Sequence, residues 1–102
     1  MGLTTVNTGA LLLDLSDMTL KLRLKLKHLI VQELKIQHVA PEEITDDEPI
    51  FSDRLGLDSI DAVEVVYLVE KNFGVAIKDM KEARPALQSI TTLADFIEAR
   101  SV

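Results

Sequence analysis

Hydrophobic positions along the chain fall into helical stripes separated by punctuation. Residues 20–27, Leu-Lys-Leu-Arg-Leu-Lys-Leu-Lys, alternate like a strand. The continuation His28-Leu29-Ile30-Val31-Gln32-Glu33-Leu34 breaks the alternation, and Leu22, Leu26, Leu29, Ile30 and Leu34 share one stripe at 3.6 residues per turn. Leu, Lys and Arg are also good helix formers. The pattern predicts one helix over about 18–37, stopped by Val39-Ala40-Pro41. A second helix is expected over about 59–73, ending at the Gly74 C-cap signal. A short helical turn over Lys78–Arg84 should end at Pro85. Thr92 followed by Asp95 is a capping box that opens a last helix with Leu93, Phe96 and Ile97 inward.

Between the first two helices, residues 40–58 form a long loop. Its spaced apolar residues Ile44, Ile50, Phe51, Leu55 and Leu57 should pin it to the core. Residues 1–17 show no period and read as a flexible N-terminal extension to a domain over 18–102. The fold class is all-α: a small four-helix bundle of three longer helices and a short third one, with a long loop between helices one and two.

Composition narrows the function. A chain of 102 residues makes one small domain. With no cysteine there is no disulfide, thiolate metal site or cysteine nucleophile, which suits a reducing, cytoplasmic setting. Residues 1–40 carry five Lys/Arg against three Asp/Glu, and residues 41–102 carry six against fourteen, which together give the net charge of −6. An acidic C-terminal part repels nucleic-acid phosphates and favours basic protein partners. No apolar run reaches the roughly 20 residues of a membrane span. No basic stretch precedes Leu11-Leu12-Leu13, and position 6 is Val rather than the Ser/Thr of a myristoylation signal.

The second helix carries two faces. Ala62, Val65, Val66, Val69 and Phe73 form its core stripe. Ile60, Val63, Glu64, Tyr67 and Lys71 lie opposite, and three of these five are apolar. Rimmed by Asp61, Glu64 and Glu70, that strip reads as a docking surface for basic partners. The lesser alternative is contact with the N-terminal extension or a second copy. His28 and His38 lack ligand neighbours, and Asp46-Asp47-Glu48 lacks the spacing of a calcium loop and reads as a solvated acidic turn.

At the head of this helix stands Phe51-Ser52-Asp53-Arg54-Leu55-Gly56-Leu57-Asp58-Ser59-Ile60-Asp61. A serine at a helix start is commonly a cap, and Asp58 with Asp61 already makes an acidic capping box. The two roles are compatible if Asp58 caps while Ser59 stays exposed in the first turn. Leu-Gly-Leu-Asp-Ser followed by an acidic helix resembles the attachment site of acyl carrier proteins, over roughly residues 20–102. The resemblance implies a protein that is not an enzyme. It implies covalent 4′-phosphopantetheine, derived from coenzyme A, on Ser59, with Asp58 assisting recognition by a phosphopantetheinyl transferase. Ile60, Asp61, Val63, Glu64 and Tyr67 match the family's partner-recognition helix. A phosphodiester at Ser59 should then face backbone N–H groups at the helix N-terminus. The expected partners are the transferase and acyl-transfer or acyl-modifying enzymes of fatty-acid, polyketide or related biosynthesis, met by a monomer.

Some positions depart from the family pattern. Ile60 replaces the usual Leu, the 78–90 segment is longer than usual, and helix one is unusually basic, which points to a specialised carrier. The alternatives are a peptidyl or aminoacyl carrier, against which Gly56-Leu57 in place of Gly-Gly argues, and an unmodified helical interaction module.

Overall fold

The computed structural model describes the backbone of residues 2–100 and the side chains of residues 18–100. Four α-helices and one 3₁₀ turn make up the described residues, with no strand among them: α1 (Gly2–Glu33), the 3₁₀ turn Pro41–Glu43, α2 (Ser59–Phe73), α3 (Met80–Ala86) and α4 (Ile90–Arg100). α1 packs on α4 and on the 3₁₀ turn, and α3 packs on α4.

α1 differs from the expected 18–37 at both ends. Its helical backbone begins at Gly2, and the extension expected over residues 1–17 has side chains outside the described residues. The C-terminal end comes at Glu33, well before Pro41. Lys35 takes φ 55° in the left-handed region, Leu34 N–H bonds Ile30 C=O at 3.0 Å, and Ile36 N–H reaches back to Val31 C=O at 2.9 Å. That six-to-one bond over a left-handed residue is a Schellman ending, formed here on lysine instead of the usual glycine.

The stripe on α1 behaves as its period predicts. Leu26 and Ile30 are buried, while Leu22, Leu29 and Leu34 are half-buried. On α2, Ala62, Val65 and Val69 are buried and Val66 and Phe73 half-buried. Leu68, between the two faces, is buried too. α2 ends as expected on Gly74, whose φ of 68° is left-handed and whose N–H bonds Glu70 C=O.

The long loop is held at both levels. Ile44, Ile50, Leu55 and Leu57 are buried and Phe51 is half-buried against the core. Backbone bonds from Ile50 N–H to Gln88 C=O and from Thr91 N–H to Asp46 C=O tie it to the start of α4. The acidic stretch 46–48 is not a free solvated turn. Asp46 pairs with Arg23 at 2.9 Å and Lys27 at 2.6 Å. Glu48 pairs with Arg54 and accepts from the Thr45 N–H. Burial pushes the Glu48 carboxyl up, but the Thr45 and Arg54 interactions outweigh it, so its pKa lies below the ordinary value.

α3 corrects the reading of Pro85. The helix opens on Asp79, which accepts from Glu82 N–H at 2.8 Å, and it runs through Pro85 to Ala86. Only the hydrogen bond to Lys81 C=O is forfeited by the proline. The next one, Leu87 N–H to Ala83 C=O at 2.8 Å, is intact. Ala83, Ala86 and Leu87 are buried, so the lengthened segment is anchored to the core, and Arg100 pairs with Glu82 across α4 and α3. Met80, in contrast, is exposed.

α4 starts earlier than the Thr92 capping box implies. Ser89 caps it: Thr92 N–H donates to Ser89 Oγ at 3.2 Å, and Ser89 N–H donates to Thr92 Oγ1 at 2.9 Å. Thr92 thus occupies the third helical position of a reciprocal box and not the cap itself.

Candidate functional site

The loop delivers Asp58 in an extended conformation, φ −128° and ψ −170°, immediately before α2. Asp58 Oδ1 accepts from Ile60 N–H at 2.9 Å and from Asp61 N–H at 3.4 Å. Asp61 Oδ2 returns the interaction by accepting from Asp58 N–H at 2.9 Å. The box satisfies two orphan donors of the helix and fixes both carboxylates. It also changes the electrostatics expected at Ser59: the Ile60 and Asp61 amides are already used, so they are not open to an anion on the serine.

Gly56 permits the approach to this corner. Its φ is 69°, in the region that side-chain-bearing residues avoid, and Gly56 N–H bonds Ser52 C=O at 2.9 Å. Leu55 and Leu57 on either side are buried. The Leu-Gly-Leu string is therefore two anchors around a reversed backbone, and it forces Asp58-Ser59 outward. His38 Nε2 donates to Arg54 C=O at 2.8 Å and braces the same loop.

Ser59 is the first residue of α2. Its side chain is exposed and has no hydrogen-bond partner among the described residues. Two depressions meet at it. A cleft of about 510 Å³ between the loop, α2 and α3 is lined by Ser59 and Ala62, by Phe51 and Pro49, and by Met80, Arg84 and Leu87 among others. A shallower groove lies between the end of α1 and the start of α2, lined by Ser59, Leu34, Lys35, Ile60 and Val63 among others. The cleft has the size of a small-ligand site, within the roughly 300–1,000 Å³ such sites hold, and its walls are mainly apolar.

The strip opposite the core face of α2 is exposed to solvent. Ile60, Val63 and Tyr67 are 79%, 64% and 54% exposed. Glu64 is exposed beside them, and Lys71 stacks its ammonium 5.8 Å from the Tyr67 ring. Asp61 is half-buried because of its capping role. The basic first helix, by contrast, spends its charge inside the chain. Arg23 and Lys27 hold Asp46, and Lys25 lies 5.1 Å over the Phe73 ring. Three features of this region were not anticipated by sequence reasoning: the Asp46 clamp, the left-handed Lys35 and the position of Arg84 in the cleft. No local pattern announces them, because each depends on groups distant in sequence or on a backbone angle that lysine rarely adopts.

No group of three or more His, Asp or Glu side chains suited to a metal ion occurs among the described residues. No helix among them is long and apolar enough to cross a membrane. The residues present fit a phosphopantetheine arm: a free hydroxyl on a rigid helix start, beside an apolar cleft.

Residues 25–100 match the family model described as "phosphopantetheine attachment site". A curated relative, the mitochondrial acyl carrier protein 2 of Arabidopsis thaliana, is 43% identical over 61 residues, which are 60% of this chain and 46% of the relative. The chain thus spans about half the length of that relative. No solved structure matches the chain. With most of its length inside the family model, the chain belongs to the acyl carrier protein family, carriers that hold phosphopantetheine covalently.

Proposed function

We propose that Ser59 takes the phosphopantetheine arm and that the chain delivers acyl thioesters to enzymes of a specialised fatty-acid or polyketide pathway. The observation that carries this reading is the Ser59 hydroxyl: exposed, unbonded among the described residues, and at the first position of a helix capped by its neighbour. In loading, Ser59 Oγ attacks the phosphorus of coenzyme A that bears pantetheine. The serine O–P bond forms, the bond to the nucleotide phosphate breaks, and the hydroxyl proton passes to a base of the transferase. Asp58 is held by the box, so its second carboxylate oxygen keeps a fixed position beside Ser59. Once attached, the arm supplies a thiol that carries acyl groups as thioesters. Ile60, Val63 and Tyr67, rimmed by Glu64 and Asp61, serve as the address for basic enzymes. Specialisation rests on the anchored 78–90 segment, since the basic residues of α1 are engaged within the chain. The protein acts as a monomer in the cytoplasm on this reading; sedimentation and cell fractionation test those two points.

The deciding experiment is intact mass and peptide mapping after incubation with coenzyme A and a promiscuous phosphopantetheinyl transferase. One arm on the peptide containing Ser59, absent in S59A, is expected. Loading of S59A would move the site elsewhere, and no loading of the wild type would favour the unmodified interaction module.

A further inference from the structure

A phosphodiester on Ser59 brings a negative charge to a corner that already holds Asp58 and Asp61. The Ile60 and Asp61 amides of the first turn are occupied by Asp58. In the groove toward α1 the one cation, Lys35, is outnumbered by Glu33, Asp61 and Glu64, so a favourable counter-charge is to be sought on the side of the cleft.

The chain has four arginines. Arg23 is paired with Asp46, Arg54 with Glu48, and Arg100 with Glu82. Arg84 is the fourth. It makes no hydrogen bond or ion pair among the described residues, and it is exposed on α3. It is also the one basic residue lining the cleft that Ser59 lines. The single acidic residue of that lining, Asp47, has Oδ1 occupied by the Thr91 hydroxyl at 2.8 Å. A guanidinium presents a planar fork that matches phosphate oxygens, so an unpaired arginine in this cleft is well suited to a phosphodiester.

We propose that Arg84 pairs with the phosphodiester of the arm on Ser59 and thereby draws the arm into the cleft between α2 and α3, away from the groove between α1 and α2. Met80 and Leu87, on the same cleft wall, then contact the pantetheine portion. Arg84 is a binding residue for the cofactor, and the inference rests on Ser59 as the attachment site.

The test uses the full-length loaded protein. Peptide mapping first establishes the arm on Ser59, so a failure there overturns the site and is recognised before Arg84 is examined. The ³¹P resonance and the nuclear Overhauser contacts between the pantetheine methyl groups and Met80 or Leu87 are then recorded for wild type, R84Q, R84K and K81Q. Lys81 is exposed on the same helix outside the cleft, so K81Q removes an equal charge without touching the site. The equilibrium constant for the cleft-bound arm should fall about tenfold in R84Q, the effect of losing one charged hydrogen bond. The ³¹P signal should move toward that of free phosphopantetheine. K81Q should match wild type and R84K should recover part of the contacts. Wild-type protein without cleft contacts, R84Q indistinguishable from wild type, or K81Q shifting as much as R84Q would each overturn the pairing.

Discussion

Lys27 Nζ lies 2.6 Å from Asp46 Oδ1, joining the C-terminal part of α1 to the long loop that precedes α2. Arg23 holds the other oxygen at 2.9 Å, one turn earlier. The pair of cations converts a loop residue into a fixed point, and the Asp46 carbonyl extends the connection to α4 through Thr91 N–H. The carboxylate is thus one of the points, with the buried Ile44 and Ile50, that fix the first part of the loop.

A pH dependence follows from that clamp. The Lys27 hydrogen bond, opposed by burial and supported by Arg23, holds the Asp46 carboxyl below its ordinary value. A carboxyl depressed in the folded state binds its proton more readily when unfolded. Its stabilisation is therefore complete above the unfolded pKa and is lost as pH falls through the folded one. Glu48 acts in the same direction. Asp46→Asn should lower stability near neutrality by about 1–2 kcal/mol, the range of a charged hydrogen bond at a partly exposed site. It should also flatten the acid limb of a plot of Tm against pH. An acid limb unchanged in D46N would show that Asp46 does not contribute to it.

Asp58 has two separable roles. As the N-cap it serves Ile60 and Asp61 N–H, and Asp58→Ala should cost about 1 kcal/mol of stability. Asp58→Asn keeps a side-chain oxygen for the cap but removes the charge. We expect D58N to melt near the wild type and to load phosphopantetheine more slowly, whereas D58A loses both. Equal loading rates for D58N and wild type would reduce Asp58 to a cap.

Charge steering is best tested at Glu64. Asp61 is a poor reporter because it also accepts from Asp58 N–H, so its substitution disturbs the helix start. Glu64 is exposed and makes no hydrogen bond or ion pair among the described residues. Glu64→Lys should leave the unfolding free energy within about 0.5 kcal/mol of wild type and weaken binding to the transferase. The wild-type affinity should fall with added salt, since the Debye length at physiological ionic strength is about 8 Å. Binding unaffected by both changes would leave the apolar residues Ile60, Val63 and Tyr67 as the whole address.

Lys35 occupies a backbone position suited to glycine. A left-handed conformation costs an ordinary residue roughly 1–2 kcal/mol, and glycine loses part of that advantage through its more flexible unfolded state. Lys35→Gly should therefore raise stability by up to about 1 kcal/mol, read by denaturant midpoint. A destabilised K35G would mean that the lysine side chain contributes packing or charge that outweighs the backbone relief.

Local periodicity and local chemistry were enough for the α2 boundaries, the anchored loop, the exposed Ile60–Val63–Tyr67 strip and the Asp58-Ser59 corner. Each is encoded within a few turns of chain: a 3.6-residue stripe, a capping box, two leucines around a glycine. The same reasoning misplaced the end of α1, because a left-handed lysine leaves no compositional mark. It set the start of α4 late, because Ser89 and Thr92 compose their box only once the chain turns there. Pro85 appeared as a stop, although the helix loses a single hydrogen bond at that position and Ala83, Ala86 and Leu87 are held by burial against the core. Asp46, read as solvated, acquired Arg23 and Lys27 from a helix some twenty residues away. Residue identities alone thus determined which segments could be helical and where a free serine would stand. Only tertiary packing decided which charges were consumed internally and which, like that of Arg84, remained free beside the serine, because ion pairing depends on distances that no spacing along the chain contains.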